Sequence, residues 1–462
     1  MHRTLVLDVV GLTSAHIGEH TPHLRALAER GTAVPLVTIA PAVTCSVQAT
    51  LTTGRLPREH GIVANGWYFR ELAKVWLWRQ SHHLVAGDEI WDEARRRDDR
   101  FTCAKLFWWF NMYDAVDVAI TPRPIYRADG RKLPDIWTDP ATLRDEITAE
   151  LGGFPLFEFW GPGAGIGSTQ WIGRAAAHVW RTRAPTLALV YLPHLDYDMQ
   201  RHGPDGPVVA RALREVDAVC GELIDMATRD GARVIALSEY GITPVTAPVH
   251  IQRVLREAGL VAFREELGEE HFDAGASAAF AVADHQIAHV YVRDRGRIPE
   301  VKALLERVPG VERVLDDDGK REIGLDHPRA GELVAIAAAD RWFTYYWWTD
   351  DRRAPDFART VDIHEKPGYD PCELFVDPAI PLPKLQIAGR LLRSKVLNLR
   401  TLMDVIPLDA TLVKGSHGRP TDRLEHGPVL ISSARCLVGD EPVAATDVRR
   451  LVLDHLFDDD RS

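Results

Sequence analysis

Three adjacent residues, Thr44, Cys45 and Ser46, carry side chains that can act as nucleophiles. They follow a short apolar segment and begin a predicted helix. A serine nucleophile favours a Gly-x-Ser-x-Gly or Ser-x-x-Lys spacing, and Ser46 has neither. A cysteine nucleophile needs neighbours that stabilise its thiolate. The three residues by themselves leave the choice of nucleophile to the rest of the chain.

Acidic and histidine side chains follow several predicted strands elsewhere in the sequence. Taken singly, such an aspartate is more often a helix N-cap, and such a histidine is more often solvated than a ligand. Together they converge on the carboxyl ends of the strands, where open α/β sheets bind their ligands. Carboxylates and imidazoles in one such cluster indicate a metal site. The candidates are Asp8, His194, Asp196, Asp198, Gln200, His202, Glu239, Tyr240 and His417.

The elements that must position these side chains are short apolar strands and amphipathic helices in alternation. The strands lack polar alternation, which is typical of strands covered on both faces. They lie at residues 3–11, 186–192, 232–238 and 332–339. This pattern predicts an α/β fold with a mainly parallel central sheet and helices on both faces. We assign residues 1–255 and 332–462 to this core, and residues 256–331 to a smaller α+β subdomain or cap.

The composition excludes several classes of function. The chain has 462 residues, of which 46% are hydrophobic and 26% are charged. A net charge of -11 with both signs mixed argues against a nucleic-acid-binding surface. The five cysteines have no Cys-x-x-Cys spacing, so neither a disulfide framework nor a zinc knuckle is indicated. Since no apolar stretch approaches the roughly 18 residues of a membrane span, we expect a cytoplasmic protein without membrane contact.

A longer motif surrounds the three candidate nucleophiles. Asp8 is followed by Gly11, Thr44 stands ten residues before Gly54, and "GRLPREHGIVAN" then ends at Asn65. This motif resembles the alkaline phosphatase superfamily, in its nucleotide pyrophosphatase/phosphodiesterase-like branch, which includes phosphonoacetate hydrolase. The resemblance continues through "VYLPHLDYDMQRHGPD", "IALSEYGI", "DIHEKPGYDP" and "KGSHGRP", and so covers nearly the whole chain.

The resemblance implies an alkaline-phosphatase-like fold and a metal-dependent hydrolase. The expected substrate is a small-molecule phosphodiester, or a phosphomonoester, pyrophosphate or phosphonate. Thr44 would be the nucleophile, Asn65 would contact the phosphoryl oxygens, and two divalent ions, Zn, Mn or Mg, would support the reaction. The implied ligands are Asp8, Thr44, Glu239, Asp196, His202 and His417, followed in rank by Tyr240, Gln200, His364 and His285.

The chain departs from the branch at both expected metal positions. Where the branch has "SDHG", this sequence has "SEYG", which puts Glu239 and Tyr240 in place of an Asp-His pair. For the other ion, the distance from the preceding strand favours Asp196 as a ligand. Its partner four residues on is Gln200, whereas the Asp-x-x-x-His spacing selects His202, and the sequence leaves these two alternatives open.

The departures bear on both the metal and the activity. Fewer imidazoles favour manganese or magnesium over zinc, because carboxylate oxygens suit these harder ions. They also motivate an alternative function, a catalytically weakened or non-hydrolytic ligand-binding or accessory protein on the same fold. Tryptophan-rich segments at residues 67–80, 107–110 and 342–348 could stack a ring of the ligand.

Overall fold

The computed structural model describes residues 1–128, 131–397 and 402–458. Its centre is a nine-stranded sheet with five parallel and three antiparallel strand pairs. In spatial order the strands are Val443–Ala444, Thr32–Val37, Val429–Ser432, Arg233–Leu237, Thr4–Val9, Leu187–Leu192, Cys103–Leu106, Val118–Pro122 and Ile136–Asp139. The prediction of a mainly parallel central sheet is confirmed.

The register of the three central strands explains why distant side chains meet. Thr4–Val9 pairs in parallel with Leu187–Leu192 on one side and with Arg233–Leu237 on the other. Asp8 lies opposite Tyr191 and Leu237. Because parallel strands end at the same edge, the segments that follow all three strands begin beside Asp8.

Helices surround the sheet and connect its strands. They are Pro22–Arg30, Thr44–Thr53, Pro57–His60, Ile90–Arg97, Thr142–Leu151, Leu156–Phe159, Ile166–Arg183, His194–His202, Pro207–Arg229, Ile251–Glu257, Ile298–Leu305, Asp317–Glu322, Pro383–Leu397, Arg435–Val438 and Val448–Phe457. Within the residues that the structure describes, every helix is too short or too polar to cross a lipid bilayer.

A second, antiparallel sheet has its own hydrophobic core. Its strands in spatial order are Ala279–Asp284, Ile287–Val292, Leu333–Ala337 and Val311–Leu315. The placement of residues 332–339 in the central sheet is therefore wrong, and the smaller unit extends beyond residue 331. The segment looks like a parallel strand because both of its faces are buried, and an apolar run alone does not distinguish the two cases.

Short strand pairs complete the structure. The antiparallel pairs are Gly66–Phe69 with Lys74–Leu77, Ile125–Tyr126 with Lys132–Leu133, Ala262–Glu266 with Glu269–Asp273, and Thr243–Pro244 with Gly415–Ser416. Ala247–Val249 pairs in parallel with Arg341–Phe343.

Candidate active site

Thr44 begins a helix next to the carboxyl ends of the central strands. This helix (Thr44–Thr53, the Thr44 helix) is buried along its whole length. It ends at Gly54, whose left-handed φ of 68° favours glycine because glycine has no Cβ. Thr44 itself is 3% exposed. Since the first N–H groups of a helix have no partner within the helix, they favour an anion beside Thr44.

Gln48, one turn after Thr44, joins two carboxyl groups. Its Nε2 atom donates to Asp8 Oδ2 at 3.1 Å and to Glu239 Oε1 at 2.7 Å. Its Oε1 atom accepts from the backbone N–H of Trp109 at 2.8 Å, which sets the orientation of the amide. Among the described residues, no N–H or hydroxyl group donates to Asp8 Oδ1 or Glu239 Oε2, and the two carboxyl groups share a hydrogen bond with each other. We refer to Asp8, Thr44, Gln48 and Glu239 as the Thr44 group.

Burial shifts both carboxyl groups of the Thr44 group toward their neutral forms. It raises the pKa of Asp8 above its usual value. Burial, together with the charge of Asp8, raises the pKa of Glu239 well above its usual value, and the Thr44 hydroxyl and the Gln48 amide partly oppose this rise. No cationic side chain in the described ranges offsets the two charges. Adjacent buried carboxylates of this kind favour either a proton or a bound cation.

Asp196 is a second buried carboxyl group, and hydrogen bonds engage both of its oxygens. Gln200 donates from Nε2 to Asp196 Oδ2 at 2.6 Å and accepts at Oε1 from the Tyr369 hydroxyl at 3.0 Å. The Tyr240 hydroxyl donates to Asp196 Oδ1 at 3.4 Å and lies 3.3 Å from Thr44 Oγ1. Burial raises the pKa of Asp196 to about 7. We refer to Asp196, Gln200 and Tyr240 as the Asp196 group.

His417, which follows the short strand Gly415–Ser416, approaches Asp196. Gly415 permits this approach, since a Cβ at that position would lie 2.2 Å from the carbonyl oxygen of Met199. The Nδ1 atom of His417 donates to the carbonyl oxygen of Ala42 at 2.8 Å. Burial lowers the pKa of His417 to about 3, so the ring is neutral. Its Nε2 atom, the remaining acceptor, lies 3.8 Å from Asp196 Oδ1.

Four stacked rings hold the Asp196 group in place. The Tyr240 and His417 rings lie 3.6 Å apart with an interplanar angle of 7°. The His417 and His285 ring centroids lie 3.6 Å apart with the rings tilted by 37°, and His285 stacks on Tyr369 at 3.7 Å. The hydroxyls at the two ends of this stack are joined through the Asp196 group. His285 therefore contributes a ring to this packing.

Asn65 connects the Thr44 helix to the smaller sheet. Its Oδ1 atom accepts from the Cys45 N–H at 3.0 Å, and its Nδ2 atom and backbone N–H donate to Asp284 at 3.1 and 2.8 Å. Nδ2 carries a second hydrogen that the bond to Asp284 does not use. Burial raises the pKa of Asp284 to about 7. The sequence analysis missed this role of Asp284, because no motif links residues 219 positions apart.

Three of the other candidate ligands lie outside these groups. His202 is exposed at the end of its helix, and Gln200 makes the contact with Asp196 instead. Asp198 forms ion pairs with two arginines, at 3.2 and 3.4 Å. His364 is half-buried in a loop outside the Thr44 and Asp196 groups, where its backbone N–H donates to Asp362 Oδ1 at 3.3 Å and its ring bonds the backbone of Leu77.

Aromatic side chains border the site. The Trp78 ring lies 4.8 Å from that of Trp109 and 6.1 Å from that of Tyr369, and the Trp160 ring lies 5.6 Å from that of Tyr369. Trp78, Trp160 and Tyr369 line a cavity of about 10 Å³. The tryptophans within residues 342–348 are fully buried in the core of the smaller unit, so the expectation that they stack a ligand is wrong.

A separate group of ligand-type side chains lies at the far end of the Thr44 helix. Among the described residues, one group of three ligand-type side chains is close enough to hold an ion. It consists of His82, Glu89 and Asp114. Lys105 Nζ already forms an ion pair with Asp114 at 2.7 Å. The Thr52 hydroxyl donates to Glu89 Oε1 at 2.7 Å. These contacts anchor the Thr44 helix, and the lysine supplies a positive charge without a metal.

Comparison with known families agrees with the geometry around Thr44. The family model described as type I phosphodiesterase / nucleotide pyrophosphatase matches residues 4–370, which include Asp8, Thr44, Asp196 and Glu239. The chain belongs to this family. Its fold is shared by two solved structures that are similar to this chain.

One curated relative and two solved structures are similar to this chain. An uncharacterised pyrophosphatase/phosphodiesterase of Schizosaccharomyces pombe is 27% identical over 237 residues, 49% of this chain. The chain spans 41% of the length of that relative. Phosphonoacetate hydrolase of Sinorhizobium meliloti, in complex with phosphonoformate, aligns with a TM-score of 0.63 at 15% identity and covers 99% of this chain and 96% of its own. Murine ectonucleotide pyrophosphatase/phosphodiesterase 5, as an inactive variant with AMP, aligns with a TM-score of 0.57 at 16% identity, covering 99% and 95%.

The Thr44 group fits one divalent cation of the type that prefers oxygen. Two buried carboxyl oxygens, Asp8 Oδ1 and Glu239 Oε2, accept no hydrogen bond from an N–H or hydroxyl group of the described residues, and the Thr44 hydroxyl lies next to Glu239. Magnesium is commonly held by one or two carboxylates together with water and substrate oxygens. Gln48 binds the other oxygen of each carboxyl group, which is how outer residues orient ligands in metal sites.

The Asp196 group does not fit a second ion. Gln200 directs an amide N–H at one oxygen of Asp196, and Tyr240 donates to the other. Asp196 and His417 remain as ligands, whereas catalytic zinc sites use three protein ligands. The expectation of two ions held at both positions is therefore not met by the donor sets of this chain.

Proposed function

We propose that the protein hydrolyses a phosphodiester, or a related phosphoryl or phosphonyl ester, of a small molecule, with Thr44 as the nucleophile. One observation carries the proposal. The Thr44 hydroxyl lies at the N-terminus of a buried helix, beside two carboxyl groups that each have one oxygen without a hydrogen bond from an N–H or hydroxyl group of the described residues. Family membership supports hydrolysis of this class of bond.

The phosphoryl group is held next to Thr44 by neutral donors. The helix dipole favours its negative charge, as do the N–H groups of the first helical turn other than that of Cys45, which donates to Asn65. Asn65 adds the remaining hydrogen of Nδ2, and its other contacts fix the amide in place. These donors are in position before the substrate binds, so they stabilise charge that develops on the phosphoryl oxygens without reorganisation.

A single magnesium or manganese ion completes the proposed site, with Asp8, Thr44 and Glu239 as the residues that would hold it. When bound, such an ion lowers the pKa of a coordinated hydroxyl and neutralises phosphoryl charge. Zinc is a poorer match, because this set contains oxygen donors alone.

The proposed reaction has two displacements at phosphorus. In the first, a bond forms between Thr44 Oγ1 and phosphorus, the bond to the ester oxygen breaks, and the leaving group departs as an alcohol with the proton that Thr44 loses. In the second, water attacks phosphorus, the bond to Thr44 Oγ1 breaks, and the hydroxyl regains a proton. The products of a diester are one alcohol and one phosphate monoester.

The leaving group is proposed to lie against the aromatic border of the site. Trp78 and Trp160 are half-buried, and together with Tyr369 they present ring faces and edges close to the Asp196 group. Such surfaces favour an aromatic ring or an apolar chain.

The test uses aryl phosphodiester, phosphomonoester and phosphonate ester substrates with added manganese or magnesium. The wild-type protein is expected to release the aryl alcohol, and Thr44→Ala is expected to lower kcat by about 1,000-fold or more. Thr142→Ala, at an exposed helix start, is the matched control and should keep full activity. Full activity in Thr44→Ala would show that this residue is not the nucleophile.

A second candidate is a non-hydrolytic binding protein, and the replacement of two imidazoles by Gln200 and Tyr240 favours it. Phosphonoformate and AMP, which are bound in the two similar structures, serve as probes. Saturable binding by calorimetry, without turnover of any ester in the presence of either ion, would favour this candidate over hydrolysis.

A further inference from the structure

The position that the family resemblance gives to a second ion is enclosed by a continuous chain of contacts. One half of this chain is the stack of Tyr240, His417, His285 and Tyr369. The other half consists of hydrogen bonds from the Tyr369 hydroxyl to Gln200, from Gln200 to Asp196, and between Asp196 and Tyr240. Both ends of the stack are thereby tied to the same carboxyl group.

The orientation of Gln200 follows from this network. Its Oε1 atom accepts the hydroxyl proton of Tyr369, so its Nε2 atom must face Asp196, at 2.6 Å. An ion between the two side chains would meet N–H donors instead of a lone pair. Turning the amide over would place two acceptors, the amide oxygen and the carboxylate, against each other and would leave the Tyr369 hydroxyl without its partner.

The Tyr240 hydroxyl is directed toward the reacting group. It lies 3.3 Å from Thr44 Oγ1, and the stack on His417 fixes its ring. Its hydrogen bond to Asp196 is long, 3.4 Å, whereas hydroxyl donors usually lie 2.5 to about 3.0 Å from their acceptor. A phosphoryl oxygen bound beside Thr44 would therefore be a better acceptor for this proton than Asp196.

We propose that Tyr240 is a catalytic residue that replaces the second ion, with its hydroxyl as a hydrogen-bond donor to the phosphoryl group and with Asp196 and Gln200 as positioning residues. This inference rests on the proposed function. It assigns one divalent ion to each chain, at the Thr44 group, and a neutral donor at the second position.

Metal stoichiometry tests the replacement without reference to activity. Equilibrium dialysis against manganese, followed by elemental analysis, is expected to give one ion per wild-type chain. Gln200→His restores the imidazole that the family has beside Asp196 and His417, and Tyr240→His restores the one that the family pairs with the position of Glu239. The double variant is expected to bind two ions. Two ions in the wild type, or one ion in a folded double variant, would overturn the inference. No bound ion in the wild type would instead contradict the ion of the proposed function.

Tyr240→Phe tests the donor role with a variant that keeps the ring stack. We expect kcat to fall by about 100-fold, the usual loss for one preorganised donor, with KM and the number of bound ions unchanged. Tyr291→Phe, which removes a buried hydroxyl bonded to the Arg329 carbonyl in the smaller unit, is the matched control. An unchanged kcat in Tyr240→Phe would overturn the catalytic role, and loss of the bound ion would show that Tyr240 is a ligand instead.

Discussion

The Thr44 group and the Asp196 group both pair a glutamine amide with buried carboxyl groups, but the two amides leave different numbers of carboxyl oxygens free. Gln48 lies four residues after Thr44, and Gln200 lies four residues after Asp196. Both glutamines direct their Nε2 atom at buried carboxyl oxygens. Gln48 divides this donor between two carboxyl groups and leaves one oxygen on each without an N–H or hydroxyl partner among the described residues. Gln200 gives its donor to a single carboxyl group, and Tyr240 engages the other oxygen.

The difference shows that the ratio of donors to carboxyl oxygens decides where a cation is needed. Buried carboxylates must be paired, protonated or bound to a metal. Two carboxyl groups with one shared amide retain free acceptor oxygens, whereas one carboxyl group with two donors does not. Gln200 and Tyr240, which stand where the family has imidazoles, both contact Asp196. Their effect therefore falls on the Asp196 group more than on the Thr44 group.

The largest expected difference is between two single variants, one that removes a carboxylate from the Thr44 group and one that removes a carboxylate from the Asp196 group. Asp8→Asn should abolish binding of the ion and lower kcat by about 1,000-fold, because a metal contributes several kcal/mol to the transition state. Asp196→Asn should keep the ion and lower kcat about tenfold, because it disturbs only the position of Tyr240. Calorimetry with manganese and steady-state kinetics measure both quantities. If Asp196→Asn also loses the ion, the two halves do not differ as described.

A smaller effect is expected from the two glutamines. Gln48→Ala should weaken manganese binding about 10-fold to 100-fold, the usual result of removing an outer partner of metal ligands. Gln200→Ala should leave the affinity for the ion at the Thr44 group unchanged, because Gln200 contacts neither Asp8 nor Glu239. Titration calorimetry of the two variants at one pH decides between these outcomes. Equal weakening in both would contradict the separation of the groups.

The smallest expected effect is on the pH dependence of stability without metal. Burial raises the pKa of Asp8 in the folded state. The folded protein therefore keeps a proton that the unfolded chain releases near pH 3.8, and this contribution to stability is lost as the pH rises toward neutrality. The melting temperature in EDTA, relative to that of Asp8→Asn, should fall by several degrees between pH 5 and about pH 8.

The comparison with Asp8→Asn removes the contribution of buried histidines, whose effect on the pH dependence of stability is opposite to that of Asp8. Burial lowers the pKa of His60 to about 3, so this histidine and others like it make stability rise with pH through the acid range. The wild type and Asp8→Asn both contain these histidines, so the difference between their melting temperatures cancels the contribution of the histidines. Manganese should raise the melting temperature of the wild type at pH 8 but not that of Asp8→Asn. An equal rise in both would place the ion elsewhere.

Much of the candidate site could be predicted from the sequence, because its residues follow strands or lie within a continuous motif. Asp8, Thr44, Asn65, Asp196, Glu239 and His417 were all selected in this way, and the structure brings them together. Gln48 was missed, although its position four residues after Thr44 places it on the same helical face. That spacing was the available signal.

Other features could not be read from the chain. Asp284 contacts Asn65 across 219 positions, through the packing of the smaller sheet against the Thr44 helix. The choice between Gln200 and His202 depends on the direction of a helix relative to Asp196, and both spacings were compatible with the sequence. The strand Leu333–Ala337 was assigned to the wrong sheet, because complete burial removes the polar alternation that marks antiparallel strands.

The sequence by itself determined the family, the main fold and the nucleophile candidate, since these depend on local motifs and on the alternation of strands and helices. Only the tertiary structure decided how the substituted residues are used. Whether Gln200 and Tyr240 act as ligands or as donors depends on which partners occupy their other atoms. Those partners, Tyr369 and His417, come from distant segments whose approach is set by packing.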